Sequence, residues 1–176
     1  VCSSDLNAIK SEIKNAKRFG YNTIRLHEKV NPDRWYYYAD TFGVYILQDM
    51  PQKMEKRNDK TPDADATDVI FRQEAFVHLS GRISNHPSVL EWIIFNENDY
   101  WKYIKDMNTF YEDLRKLDRS GRWINMDSGG LATPYMIGDV NDNHHYPDPI
   151  PPPKNAHQFN FIGERSEEHT SELQSR

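Results

Sequence analysis

The chain has little cysteine, no long apolar run and no excess of positive charge, and these shortages narrow what it can be. Lys and Arg number 22 against 27 Asp and Glu, and this mild acidity argues against nucleic acid as a partner. No apolar stretch approaches the ~20 residues of a membrane span, so no membrane partner is expected. The opening residues lack a signal-peptide pattern, which leaves the compartment open.

Both ends of the chain look foreign to the protein. Residues 165–175 resemble the translation of a sequencing-library adapter, and residues 1–6 resemble the opposite-strand read of such an adapter. Such segments are excluded from fold reasoning. We therefore expect a natural segment at 7–164, with 1–6 and 165–176 as artefacts, the latter disordered; the alternative is a natural polar tail. The only cysteine, Cys2, lies in the first artefact and indicates no redox compartment.

Strands and helices alternate along the expected natural segment. Residues rich in β-formers predict strands at 21–27, 44–48, 89–95, 122–126, 138–146 and 159–163. Apolar residues at helical spacing predict helices at 8–19, 32–42, 67–84 and 101–117. In the third helix Thr67 is the expected cap, and the residues expected to face inward are Val69, Phe76, Leu79 and Ile83. This alternation implies βαβ units and a parallel sheet.

Two α/β architectures fit such a sheet: an open doubly wound sheet and a (β/α)8 barrel. No glycine-rich phosphate loop follows any predicted strand, which disfavours the first. Polar and aromatic side chains instead follow the carboxyl ends of several strands: His27, Asp49, Asn96, Glu97, His144, Tyr146 and Glu164. A barrel places its active face there. Because a whole barrel takes ~250 residues, we predict a partial TIM (β/α)8 barrel that runs from helix 1 to strand 7.

Two glutamates end strands in this pattern, and paired carboxyl groups are typical of glycoside hydrolysis. Glu97 ends the stretch 86–97, and Glu164 ends the stretch 159–164. A retaining mechanism needs one carboxylic acid and one carboxylate about 5–5.5 Å apart. An acid near neutral pH requires apolar or negatively charged surroundings, and the neighbours Trp92 and Phe95 suit Glu97 to that role.

Four stretches resemble the catalytic barrel of family 2 glycoside hydrolases, the β-galactosidase and β-glucuronidase group. They are 20–27 with 35–51, then 86–97, 138–149 and 161–164. The first three are similar to a mostly β-galactosidase-like branch. In that family the acid/base follows strand four and the nucleophile follows strand seven. If strand one precedes residue 7, the resemblance implies that Glu97 is the acid/base and Glu164 the nucleophile.

The resemblance also implies roles for residues around this pair. Arg25 would keep the nucleophile ionised, and Asn96 would donate to the sugar 2-hydroxyl. His144 would touch substrate or the acid/base, and Tyr146 would hydrogen-bond the nucleophile. The alternatives are a surface arginine for Arg25 and a turn-capping residue for Asn96.

Three further residues keep two interpretations each. His27 and Asp49 lie where relatives contact the sugar, and each is otherwise a hydrogen-bonded scaffold residue. Trp101 is either a sugar-stacking platform or the first core residue of the next helix.

No metal or other cofactor is expected. The adjacent His144 and His145 point opposite ways on a strand and make poor co-ligands. Galactosidases that need magnesium carry a Glu-x-His element after strand three, and residues 49–51 read Asp-Met-Pro instead.

The leading functional hypothesis is a retaining β-glycosidase, most similar to β-galactosidases, with a carbohydrate substrate. Its alternatives on the same barrel are a β-mannosidase, a β-glucuronidase and an endo-glucanase, and the Asn-Glu-Asn run at 96–98 resembles mannosidases. A non-catalytic carbohydrate-binding barrel fragment is the alternative from another class. Because an incomplete barrel leaves open sheet edges, we expect the isolated chain to be inactive, and its oligomeric state is left open.

Overall fold

The structure is a computed structural model that describes residues 3–51, 64–97, 104–129, 137–146, 150 and 157–165. The α-helices in these ranges are α1 Ser3–Arg18, α2 Asp33–Phe42, α3 Ala64–Leu79 and α4 Met107–Leu117. The strands are β1 Thr23–Leu26, β2 Tyr45–Asp49, β3 Val89–Ile93, β4 Trp123–Asn125, β5 Val140–His145 and β6 Phe159–Arg165. None of the helices in these ranges has the length and apolar character needed to cross a membrane.

The strands are parallel and follow one another in chain order. One sheet has the order β1-β2-β3-β4, and β5 pairs with β6 in a second. The backbone N–H of Asp139 donates to the carbonyl of Ile124 at 2.9 Å, which places β5 beside β4. Parallel strands joined through helices are the βαβ arrangement that the sequence predicts, so the α/β class is confirmed.

Local sequence explains where α2 ends and how it packs. Gly43 caps the helix with φ 64°, a left-handed conformation that a residue without Cβ adopts without strain. The helix buries Trp35, Tyr36 and Ala39, and Tyr36 donates through its hydroxyl to Gln48 on β2. The second helix is thereby held against β2.

The core lies between the helices and the sheet. Its largest fully buried side chains come from all four helices, from the strands and from the segment after β3, and they include Trp35, Trp92, Phe95, Ile46 and Phe110. Because β2 and β3 are buried on both faces, most of their residues are apolar. The polar exceptions on these strands, Gln48, Asp49 and Glu91, lie on the way to the candidate site.

The structure corrects the predicted third helix. It begins at Ala64, so Thr67 lies inside it and does not cap it, and it ends at Leu79 before a short 3-10 turn. Val69 and Phe76 are 50% and 57% exposed, although both were predicted to face inward, whereas Leu79 and Ile83 are buried as predicted. The buried face follows i, i+4 spacing through Thr67, Phe71, Ala75 and Leu79. Since α3 carries apolar residues on two faces, spacing alone did not identify the buried one.

The boundaries of three other elements also differ from the prediction. The first helix starts at Ser3, ahead of the predicted residue 8. The fourth starts at Met107 because Asp106 caps it, accepting a hydrogen bond from the Thr109 N–H at 3.0 Å. The last strand continues through Glu164 to Arg165, so Glu164 is held by the β5–β6 ladder.

Candidate active site

The candidate site lies at the carboxyl ends of β1, β2, β3, β5 and β6. These strand ends supply Arg25, Asp49, Asn96, Glu97, His144, Tyr146 and Glu164. On β5 buried and half-buried residues alternate, so that Asp142 and His144 share the buried face. The two-residue period of β5 therefore brings Asp142 and His144 to the same face of the strand.

Arg25 donates hydrogen bonds to three other candidate residues. Its guanidinium donates twice to Asp49, at 2.9 and 3.0 Å, in a bidentate pair. It also donates to Glu164 Oε1 at 2.9 Å and to Asn96 Oδ1 at 2.7 Å. Arg25 is thus a partly buried residue that holds the site together, and the surface-arginine alternative does not describe it.

Asp49 acts as the anchor of Arg25. The residue is fully buried, and its Oδ2 also accepts the backbone N–H of Glu28 at 3.1 Å. Both carboxylate oxygens therefore face protein donors. This geometry matches the scaffold interpretation of Asp49.

Glu164 is surrounded by groups that favour its ionised form. Burial works to raise the pKa of this carboxyl, but the hydrogen bond from Tyr146 and the charges of His144, Arg25 and His27 outweigh it. The pKa of Glu164 therefore lies below its ordinary value. Tyr146 donates to Oε2 at 2.7 Å, and this bond raises the pKa of the tyrosine to about 12. The tyrosine thus keeps the proton that it donates.

Glu97 lies at a left-handed turn directly after β3. Its φ is 46°, a conformation uncommon outside glycine and found where surrounding structure enforces it. The enforcing contacts are a parallel bridge between Asn96 and Ser128 and a hydrogen bond from the Glu97 N–H to the Ser128 carbonyl at 3.0 Å. Its Oε1 lies 2.6 Å from His144 Nδ1.

The prediction that Glu97 has apolar surroundings is wrong. Its side chain is 46% exposed, while Trp92 and Phe95 are buried in the core. The turn after the strand carries the carboxyl away from those neighbours. Among the residues that the structure describes, the imidazole of His144 contacts the Glu97 carboxyl. A polar contact therefore replaces the predicted apolar surroundings.

The two glutamates converge on one pocket. One carboxyl oxygen of Glu97 and one of Glu164 lie within 4.8 Å of each other, with His144 Nδ1 between them in the same cluster. The distance from His144 Nδ1 to Glu164 Oε2 is 4.0 Å. An oxygen separation of this size is compatible with carboxyl groups about 5–5.5 Å apart.

The same three atoms form a possible ligand set for a cation, but each is already engaged. Glu97 contacts His144, and Glu164 accepts from Arg25 and Tyr146. The guanidinium of Arg25 beside Glu164 also opposes a further positive charge. We therefore assign no metal to this cluster.

The remaining predicted residues have distinct positions. His27 Nδ1 lies 3.7 Å from Glu164 Oε1, at the exposed rim of the site. Asn96 is buried, and Arg25 fixes the orientation of its side-chain oxygen. Tyr146 is 50% exposed beside Glu164. Trp101 lies outside the described residues.

Sequence reasoning missed a buried polar layer beneath His144. Ser128 Oγ lies 2.6 Å from Asp142 Oδ2 and 3.0 Å from His144 Nε2. Burial raises the pKa of the Asp142 carboxyl, opposed by Ser128, His144, Asn125 and the Gly163 N–H. The signal was present for Asp142, since a strand places it on the same face as His144. No comparable pattern indicated Ser128, because it follows β4 and approaches β5 only in three dimensions.

Glu91 is a second buried acid that sequence reasoning missed. Burial disfavours its charged form and raises its pKa to about 7, against an opposing hydrogen bond with Asn125. Within the described residues its Oε1 has no hydrogen-bond partner. The carboxyl is therefore mostly neutral below a pH of about 7.

Glu91→Gln is expected to stabilise the intact protein at alkaline pH and to leave it unchanged at acid pH. Between about 4.5 and about 7 the folded state binds a proton that the unfolded state has lost, so stability falls as pH rises through this window. The full loss is on the order of a few kcal/mol, and glutamine avoids it. Thermal unfolding of both proteins at about pH 5 and about pH 8 measures the difference.

The exposed Glu112→Gln on α4 is the control and should show no such pH dependence. An equal effect of Glu91→Gln at both pH values would contradict the assignment.

Comparison with known families decides where this barrel belongs. The sequence model described as "Glycosyl hydrolases family 2, TIM barrel domain" matches residues 3–144, more than four fifths of the chain. The chain belongs to glycosyl hydrolase family 2. The resemblance and the partial-barrel fold predicted from the sequence are thereby confirmed.

Curated relatives of this family 2 chain are β-galactosidases. That of Leuconostoc mesenteroides subsp. mesenteroides is 26% identical over 133 residues, which cover 74% of this chain and 12% of the relative. That of Lactococcus lactis subsp. lactis is 29% identical over 125 residues, with 69% and 12% covered. The chain thus spans about an eighth of the length of these relatives.

Solved structures share the fold of this family 2 chain. The exo-chitosanase of Amycolatopsis orientalis, in complex with PNP-β-D-glucosamine, superposes with a TM-score of 0.58 at 19% identity, covering 76% of this chain and 16% of the other. The β-glucuronidase of Ruminococcus gnavus superposes with a TM-score of 0.57 at 20% identity, covering 67% and 21%. At these identities the likeness establishes the fold.

Proposed function

We propose that the chain is the catalytic barrel segment of a retaining β-glycosidase, with Glu97 as acid/base and Glu164 as nucleophile. The observation that carries the proposal is the approach of the two carboxyl groups within 4.8 Å, with opposite surroundings. Glu164 is held ionised by Arg25 and Tyr146, as a nucleophile requires. Glu97 contacts a histidine with which it can share a proton, as an acid/base requires.

The geometry accounts for both steps of a double displacement. In the first, Glu164 attacks the anomeric carbon while the Glu97 proton passes to the leaving oxygen, and the glycosidic bond breaks. In the second, Glu97 takes a proton from water, water attacks the same carbon, and the bond to Glu164 breaks. Tyr146 and Arg25 then receive the regenerated carboxylate in its original hydrogen bonds.

A β-galactoside is the leading substrate, because the curated relatives are β-galactosidases. The superposed exo-chitosanase and β-glucuronidase are named for other sugars on the same fold, so the fold alone does not determine the sugar. A panel of aryl β-galactosides, β-glucuronides, β-mannosides and β-glucosides, assayed with the intact protein, separates these candidates. Saturable sugar binding without turnover of any of them would favour a non-catalytic barrel.

A mechanism-based 2-deoxy-2-fluoro-β-glycoside of the preferred sugar is expected to label Glu164. The fluorine slows both steps and an activated leaving group on the reagent restores the first, so the glycosyl-enzyme accumulates on the nucleophile. Peptide mapping by mass spectrometry identifies the labelled carboxyl. Glu164→Gln should remain unlabelled, while Glu28→Gln, at the exposed end of β1, should label normally. A label on another carboxyl would overturn the nucleophile assignment.

A further inference from the structure

We propose that Ser128 and Asp142 are positioning residues that determine which ring nitrogen of His144 carries a proton, and thereby hold the acid/base proton at the contact between His144 and Glu97. The proposal rests on the proposed function for its assignment of Glu97. It concerns side chains that do not reach the pocket where the sugar would bind. Ser128, Asp142 and His144 are all buried, whereas Glu97 is exposed to the pocket.

Asp142 fixes the direction of the Ser128 hydroxyl. Its Oδ2 accepts from Asn125 Nδ2 at 3.0 Å and from Ser128 Oγ at 2.6 Å, and its Oδ1 accepts the Gly163 N–H. The two amides can only donate, and the three donors stabilise the ionised carboxylate against burial, which raises its pKa. The single proton of the Ser128 hydroxyl is therefore directed at Asp142.

The direction of that hydroxyl determines the tautomer of His144. Since Ser128 Oγ has given its proton to the bond with Asp142, it accepts at 3.0 Å from Nε2 of His144, which must carry a hydrogen. Arg25 Nη1 lies farther from this nitrogen, at 3.4 Å, and donates to Glu164 at 2.9 Å. The shorter contact with Ser128 decides the assignment.

The tautomer in turn places one proton between His144 and Glu97. With a hydrogen on Nε2, the contact of 2.6 Å between Nδ1 and Glu97 Oε1 holds one further proton, which lies on Glu97 when the ring is neutral and on Nδ1 when the ring is the imidazolium. In the other neutral tautomer Nδ1 would donate its only hydrogen to a carboxylate, and Nε2 would have none for Ser128. The buried layer thus keeps the proton that the first chemical step uses at the contact between His144 and Glu97.

Two close backbone approaches keep this layer in place. A Cβ at Gly129, where φ is 72°, would collide with the imidazole of His144. A Cβ at Gly163 would collide with the carboxylate of Asp142. The backbone therefore packs directly against both polar groups and leaves them little room to turn.

The charged groups that face His144 come from four strands. They are Glu97 after β3, Glu164 on β6, Asp142 on β5 and Arg25 on β1. Arg25 is paired with Asp49, His27 approaches Glu164, and Glu91 acts electrostatically on Asp142 and Arg25 from below. Ser128 is the uncharged member of this layer, so replacing it leaves the surrounding charge unchanged.

Ser128→Cys in the intact protein tests the proposal, since cysteine keeps approximate volume and loses the strong hydrogen bonds. For β-glycosides with poor leaving groups, kcat/KM is expected to fall about tenfold or more, whereas activated aryl β-glycosides should change by less than about threefold. The alkaline limb of the kcat/KM profile for the poor leaving groups is expected to move to lower pH. Ser128→Ala should behave in the same way.

Ser88→Ala is the matched control. Ser88 is a buried serine at the amino end of β3, and its hydroxyl has no hydrogen-bond partner in the part of the chain that the structure describes. This variant should leave both substrate classes and the pH profile unchanged. Loss on both substrate classes alike in Ser128→Cys would indicate a purely structural role and would overturn the proposal.

A double-mutant cycle separates action through His144 from general damage. In a His144→Asn background, adding Ser128→Cys is expected to cost nothing further, because the residue through which Ser128 acts is gone. Additive losses would overturn the proposal. If Glu97→Gln shows a leaving-group effect and Ser128→Cys matches Ser88→Ala, only this inference fails. If Glu97→Gln shows none, the proposed function fails with it.

Discussion

Glu164→Gly is expected to lower kcat for β-glycoside hydrolysis on the order of 10⁵-fold, comparable to the loss when other hydrolases lose their covalent nucleophile. The expectation follows from the environment of this carboxyl, in which the hydrogen bond from Tyr146 and the charge of Arg25 hold the pKa below its ordinary value. Without it the sugar has no group to form the covalent intermediate. The assay is steady-state hydrolysis of the best substrate by the intact protein.

The vacated space also permits a chemical rescue. Azide can enter beside Arg25 and attack the anomeric carbon from the face that Glu164 would have used, while Glu97 still protonates the leaving group. The product would be the glycosyl azide of inverted configuration, identified by NMR. Glu164→Gln fills the space and should not be rescued. Full activity in Glu164→Gly would remove the nucleophile assignment.

Glu97→Gln is expected to divide substrates by their leaving groups. For substrates with poor leaving groups, kcat/KM should fall about 10²- to 10⁴-fold, the usual contribution of a positioned general acid. Activated aryl glycosides depart without a proton, so their kcat/KM should stay within about tenfold of the wild type. Comparing alkyl with dinitrophenyl β-glycosides in the intact protein measures the division.

Glu28→Gln is a close control for this experiment. Glu28 is also an exposed glutamate at positive φ after a strand, with φ 50° against 46° for Glu97, and its backbone N–H donates to Asp49. It should show no dependence on the leaving group. Equal losses on both substrate classes in Glu97→Gln would argue against the acid role.

The sequence predicted the parts of the site that depend on strand direction. Parallel strands bring their carboxyl ends to one edge, so locating Arg25, Glu97 and Glu164 at strand ends was enough to expect their approach. Family resemblance supplied the roles proposed for them. The alternation along β5 likewise accounts for the inward position of His144.

Features that depend on three-dimensional packing were not predictable in the same way. The predicted buried face of α3 was wrong because apolar residues lie on two faces of this helix. The prediction of apolar surroundings for Glu97 was wrong because the sequence gives no signal for a left-handed turn at a glutamate. The Ser128–Asp142 contact joins the segment after β4 to β5. A buried polar pair of this kind is recognised only once the three-dimensional structure shows which residues meet.

The bond between Arg25 and Glu164 joins residues 139 positions apart, on the first and the last of the described strands. Arg25 is therefore synthesised 139 residues before Glu164, the proposed nucleophile. Contacts of such long sequence separation form slowly, because a large loop must close first. A nascent chain thus lacks the bond between Arg25 and Glu164 until β6 docks beside β5, so the carboxyl proposed as nucleophile meets its charged partner only once these strands have assembled.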